Sequence, residues 1–244
     1  MLFRKALKML GNNIRNNMFK EFLSALVYEM LKFSAKHPKA KQSDMSELRI
    51  PAVFKEYLEE ASEGVLAKDV KLIIMFLNDA KNVKVNNSKF FKAFIKFLTE
   101  KLASSLDKLP ATFYKAEHAE QIKIVEKLIA SDSVVAKALK NLIITNSYQE
   151  LASEINELCK NIAEAPYVLV QSPREIDSEL KSEIRENLNK DFESSFPVFQ
   201  INKNLIGGLR VFVDGKSHDY SWFSRISSIS NLTHPQGELS LKKS

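Results

Sequence analysis

Residues 166–176 read Pro-Tyr-Val-Leu-Val-Gln-Ser-Pro-Arg-Glu-Ile, and the period of the apolar residues changes there. From Tyr167 to Val170 the apolar side chains run on without interruption in a short, β-prone stretch, which predicts a strand. Ser172-Pro173-Arg174-Glu175 then has the composition of a helix start: a cap, proline at the first helical position, and glutamate three residues after the cap. The helix expected from it buries Ile176, Leu180, Ile184 and Leu188, every fourth residue. Further on, Phe196–Ile201 and Gly208–Val213 read as strands. Asp214-Gly215 is a two-residue hairpin signal that turns the second of them into Lys216–Tyr220. A short helix from Ser221 to about Ile229 completes an α+β domain over 164–232, and 233–244 is a polar tail.

Upstream of Pro166 the pattern is helical. Val53, Tyr57, Leu58 and Ala61, then Val70, Ile73, Ile74 and Leu77, recur at helical spacing, as do Phe90, Phe91, Phe94, Ile95, Leu98 and Leu102. Asn87 or Ser88 is placed to cap the phenylalanine-rich helix. Pro110 interrupts the pattern, which resumes at Ile122–Ile129 and Val135–Leu142. Ser147 and Glu150 have the spacing of a reciprocal capping box, ahead of the stripe Tyr148, Leu151, Ile155 and Leu158. Residues 50–163 therefore read as a helical bundle. Residues 1–49 read as an amino-terminal extension: a basic segment, a short apolar-periodic run from Phe19 to Leu31, and a polar linker around Pro38. The fold class expected is an α-helical bundle followed by a small α+β domain.

Charge is unevenly spread. Arg4, Lys5, Lys8, Arg15 and Lys20 are accompanied by no acidic residue through position 20, and taking them from the net +6 leaves +1 for the other 224 residues. A nearly neutral body argues against nucleic acid as a partner, which needs cations gathered on the folded surface. The acid-free basic start, with Leu2, Phe3, Ala6, Leu7, Leu10, Ile14 and Met18 on an amphipathic pattern, resembles a mitochondrial transit segment, although it is poor in serine. An ordinary solvated amphipathic helix is the alternative reading. The longest apolar run in the middle of the chain, Leu72–Leu77, is far too short to span a bilayer.

No catalytic constellation emerges. His37, His118, His218 and His234 are scattered, with no pair at metal-binding spacing. His218 and Asp219 are adjacent on an expected strand and so face opposite ways. The single cysteine, Cys159, lies beside a buried stripe, and neither Gly-x-x-x-x-Gly-Lys nor Gly-x-Gly-x-x-Gly occurs. No metal or other cofactor is expected.

The segment LIGGLRVFVDGKSHDYSWFSRI, Leu205 to Ile226, resembles the carboxy-terminal signature of the ATP synthase delta and oligomycin-sensitivity-conferring protein family. Gly207, Gly208, Asp219, Ser221, Arg225 and Ile226 follow in the family's order. Tyr220 stands where bacterial members often have glycine, and Phe223 where a basic residue is usual. Physically, these positions have local roles: adjacent glycines admit unusual backbone angles, Ser221 can cap the following helix, and Arg225 can pair with Asp219. The resemblance implies a non-catalytic peripheral-stalk subunit. Its helical domain would receive alpha and beta subunits of the catalytic head, and its small domain would meet the b-type stalk subunit, with membrane association through the complex. Phe90, Phe91, Phe94 and Phe97 could line a groove for a partner helix, or all four could be core. The basic start favours the matrix side of the mitochondrial inner membrane over the cytoplasmic face of a bacterial plasma membrane. A helical nucleic-acid-binding protein and a vacuolar-type stalk subunit are the alternatives; the latter would begin with a long unbroken helix, against which Pro110 speaks.

Overall fold

A computed structural model describes residues 18–37, 42–78, 85 and 88–220. The chain divides into two compact units between Ala165 and Pro166.

Among the described residues, the first unit is helical throughout: α1 (Lys20–Lys36), α2 (Ala52–Glu60), α3 (Glu63–Asn78), α4 (Lys89–Lys96), α5 (Ala103–Asp107), α6 (His118–Leu128), α7 (Val134–Thr145) and α8 (Tyr148–Ala163). A π turn, Phe97–Leu102, joins α4 to α5, and within it Thr99 Oγ1 donates to the Ile95 carbonyl at 3.0 Å. Local chemistry sets the starts. Ser88 accepts from the Phe91 amide and Ser133 from the Ala136 amide, each satisfying an orphan donor of the first turn. Ser147 accepts from the Glu150 amide while Glu150 accepts from the Ser147 amide at 2.8 Å, the full capping box. At its far end α8 stops at Glu164, whose φ of 54° is left-handed, and Pro166 follows.

The centre of this unit is aromatic. Phe22 of α1 stacks on Phe97 with centroids 5.0 Å apart, Phe54 of α2 lies 5.6 Å from Phe90, and Phe76 of α3 lies 5.0 Å from Phe91. Phe19, Phe22, Leu23, Leu26, Val27 and Met30 are all buried, so α1 belongs to the bundle. Lys20–Lys36, read as part of an extension, is thus one of the helices of the bundle. Met45, Leu48 and Ile50, ahead of α2, are buried as well.

One polar group is held in this interior. Asp69, 3% exposed, accepts from Tyr57 Oη and Ser88 Oγ, both at 2.8 Å. The same Ser88 oxygen caps α4, so one carboxylate ties α2, α3 and the start of α4 together. Every buried oxygen in this set has a partner, as burial requires.

The second unit is a four-stranded mixed sheet in the order β2-β1-β3-β4, with β1 (Val168–Ser172), α9 (Ser178–Asp191), β2 (Val198–Ile201), β3 (Arg210–Val213) and β4 (Lys216–Asp219). β1 and β2 are parallel, so the chain must cross over between them, and α9 is that crossover. β3 pairs antiparallel with both β1 and β4. Asp214 and Gly215 turn the hairpin at φ of 47° and 81°, both left-handed as a type I′ turn requires. The Asp214 carboxylate also accepts from the Tyr167 amide at 2.9 Å, pinning the turn to the start of β1. Val168, Val170 and Ile176 form the core, with Ile184, Leu188, Phe192, Phe199, Val211 and Val213 packed on it.

Two expectations are corrected here. Ser172 is the last residue of β1, in register with Ile201, and does not cap the helix. The cap is Asp177, which accepts from the Leu180 amide at 2.8 Å, so Pro173 and Glu175 lie in the connection. The buried stripe of the helix also differs. Leu180 is 40% exposed, whereas Arg185 is 6% exposed, its guanidinium 4.7 Å from the Phe196 ring centre and 4.9 Å from that of Phe199. The short helix read at Ser221 to about Ile229 lies outside the described residues.

Candidate functional site

The single cysteine has a structural place. Cys159 is buried on α8, and burial pushes its thiol up to about 12. A thiol so desolvated supplies almost no thiolate at neutral pH. Alkylation of Cys159 in the folded chain is accordingly expected to be undetectable at neutral pH and fast once the chain is denatured; mass spectrometry after timed quenching checks this. Among the described residues no group of three His, Cys, Asp or Glu side chains could hold a metal, and no helix is long and apolar enough to cross a membrane.

Phe90, Phe91, Phe94 and Phe97 are all 2% exposed or less. Phe90, Phe94 and Phe97 pack on the rings of Phe22 and Phe54, and Phe91 packs on Phe76, so the four form the interior of the bundle and present no groove to a partner helix. The physical reason is that α4 is a central helix, packed against α2 on one side and α8 on another. A helix apolar around most of its circumference is buried.

The glycine pair has a different place. Gly207 and Gly208 take φ of 71° and 73°, angles that side chains with a Cβ rarely adopt. They form the loop that enters β3. Asp219 ends β4 in register with Arg210 of β3, while Ser221 and Arg225 lie outside the described residues. Beside the glycine loop, at the carboxyl end of β1, opens a cleft of about 540 Å³. Pro173, Ile176, Leu180 and Leu209 line it together with the two glycines. Leu180, 40% exposed, belongs to this wall, and Ile206, 68% exposed, directly precedes the glycines. Sequence reasoning placed the glycines in a motif but did not find the cleft. Arg185 was missed too, although it shares one face of α9 with Leu188 and Phe192, a register that could have flagged it.

A bundle whose buried polar groups cap and tie helices, followed by a small sheet with an apolar cleft, is a fold of packing surfaces. A family model described as ATP synthase delta (OSCP) subunit matches residues 111–232, half of the chain and reaching into both units. ATP synthase subunit delta of Streptococcus pyogenes serotype M2 (strain MGAS10270) is 32% identical over 133 residues, covering 51% of this chain and 71% of that protein. The chain belongs to the ATP synthase delta (OSCP) subunit family.

Proposed function

We propose that this chain is a non-catalytic stator subunit of an F-type ATP synthase. In this reading the helical unit binds the alpha and beta subunits of the catalytic head, and the small unit binds the b-type subunit of the peripheral stalk. Holding the head still against rotor torque makes rotation productive. The task needs interfaces and no bound cofactor, and the chain meets the membrane through the complex alone. The observation that carries the proposal is the family match over residues 111–232, which takes in α6–α8 of the bundle as well as the sheet. The near-neutral charge beyond residue 20 supports protein partners over nucleic acid. Because the phenylalanine cluster is interior, contacts with the head fall to other residues of the helical unit.

A tagged full-length chain purified from gently solubilised membranes is expected to bring down alpha, beta and b-type subunits together. Recovery of none of the three overturns the assignment. The site proposed is the matrix side of the mitochondrial inner membrane, supported by the basic amino-terminal pattern. The bacterial relative favours a second reading, the cytoplasmic face of a bacterial plasma membrane. Mass-spectrometric determination of the mature amino terminus separates them: removal of the basic segment supports the first, its retention the second.

A further inference from the structure

We propose that the cleft at the carboxyl end of β1 docks a short segment of a partner protein, one whose apolar side chains are flanked by lysine or arginine. Exposed apolar surface is not spread evenly over the small unit. Among its described residues, Tyr167, Leu180, Ile201, Ile206 and Tyr220 are large, apolar and exposed, and all but Tyr167 belong to one end of the sheet. Leu180 is in the cleft wall, Ile206 directly precedes the lining glycines, and Ile201 is the cross-strand neighbour of Ser172, another lining residue. The Tyr220 amide donates to the carbonyl of Leu209, also in the wall, at 2.8 Å. Register explains the gathering. β1 and β2 run parallel and end together, while β3 begins and β4 ends beside them, with Gln171, Arg210 and Asp219 side by side. Apolar surface gathered around a concavity marks a docking site.

Charge decides what fits there. Glu175 and Asp177 line the cleft, and Glu179 follows in the first turn of α9; all three are exposed, and Arg174 is the cation among them. A second copy of this chain, meeting the first through the same end about a twofold axis, would set one acidic rim against the other. An anionic lipid surface or a nucleic acid would be repelled in the same way. A segment with apolar anchors between cations suits both features of the site: the anchors enter the cleft and the cations meet the rim. Most of the affinity comes from the anchors, because exposed ion pairs contribute little. The rim acts on specificity and on the rate of encounter. A cleft of about 540 Å³ takes only a few large side chains, so the partner offers a short amphipathic helix with anchors three and four residues apart. Gly207 and Gly208 present no side chain, which lets the partner's backbone come close to that wall.

The chemistry of the cleft stands apart from the stator reading and is tested without any other ATP synthase subunit. The probe is a synthetic amphipathic peptide with leucines along one face and lysines on both flanks, titrated into the isotope-labelled full-length chain and followed by amide chemical shifts. Amides of Arg174–Leu180 and Gly207–Leu209 are expected to shift and saturate, while those of α6–α8 stay in place. A counterpart peptide with glutamates for the lysines is expected to bind several-fold more weakly. Leu180→Gln combined with Ile206→Gln, which adds no charge, is expected to weaken the lysine peptide by about tenfold or more through loss of apolar contact. Glu175→Lys combined with Glu179→Lys is expected to reverse the preference, so that the glutamate peptide binds the better of the two. Far-UV circular dichroism is expected to be unchanged in each variant, and Met75→Gln, an exposed control in the helical unit, to alter neither affinity. No saturable shift in the parent chain, or shifts centred elsewhere, overturns the proposal whether or not the variants fold. So does equal binding of the two peptides by the parent. Shifts of the same amides that grow with protein concentration and no peptide overturn it by assigning the cleft to a second copy. Broadening of those amides by vesicles of phosphatidylserine and phosphatidylcholine overturns it in favour of a membrane.

Discussion

Phe94→Ala is expected to destabilise the helical unit by about 3–5 kcal/mol, the range for removing a buried aromatic ring. Phe94 is fully buried, with Phe19 edge-on at 5.6 Å and Phe22, Phe90 and Phe91 each at 6.4 Å. Truncation removes the transfer free energy of the ring and leaves a cavity whose walls belong to α1 and α4 themselves. Rings on these helices are interlocked, so the site cannot collapse without moving several of them. Phe94→Leu keeps more of the volume and is expected to cost less. Met75→Ala, at a position 53% exposed, is expected to stay within about 0.5 kcal/mol of the parent. Chemical denaturation followed by far-UV circular dichroism measures all three. The same series separates a core role from a groove role. If Phe94→Ala left the denaturation midpoint unmoved but abolished recovery of the alpha subunit, Phe94 would be a docking residue and the burial argument would fail.

The parts of the fold legible from sequence are those that short-range chemistry decides. The capping box of Ser147 and Glu150 closes over three residues, and the Asp214-Gly215 turn needs only two residues that tolerate left-handed φ. The change of period at Pro166 lies one residue beyond Ala165, where the compact units part. The errors are where a distant partner outvotes a local signal. Ser172-Pro173-Arg174-Glu175 has every mark of a helix start, but hydrogen bonding beside β2 claims Ser172 for the sheet: its carbonyl accepts from the Asn202 amide at 2.7 Å. The apolar period from Phe19 to Leu31 was visible. That Phe22 stacks on Phe97, far along the chain, was not. Nor can a stripe at every fourth residue tell which of its members ends at the rim of a cleft, as Leu180 does. At the candidate site the glycine pair was readable because positive φ selects glycine. The apolar rim around it was not, because exposure is a property of what fails to cover a residue.

Arg185 is the position where the small unit is expected to be most sensitive. A buried arginine on a helix facing a sheet would ordinarily be a liability, since desolvating a guanidinium is costly. Here its planar group lies within 5 Å of two aromatic ring centres, and cation–π attraction in a desolvated setting is worth about 2 kcal/mol or more. The side chain, stem included, is 6% exposed. Arg185→Ala removes the charge, the stem and the stacking together, and is expected to cost about 3 kcal/mol, within the range for opening a cavity in a core. Arg185→Lys is expected to recover little, because an ammonium cannot stack as a guanidinium plane does and is more strongly hydrated. Arg185→Met, apolar and adaptable, is expected to recover more than lysine. Hydrogen exchange gives a readout confined to this unit: protection of the β1 and β2 amides should fall in the order parent, Met, Lys, Ala, while peptides of α7 and α8 keep theirs. An order with lysine above methionine would mean that the charge, and not the stacked plane, is what the two phenylalanines hold.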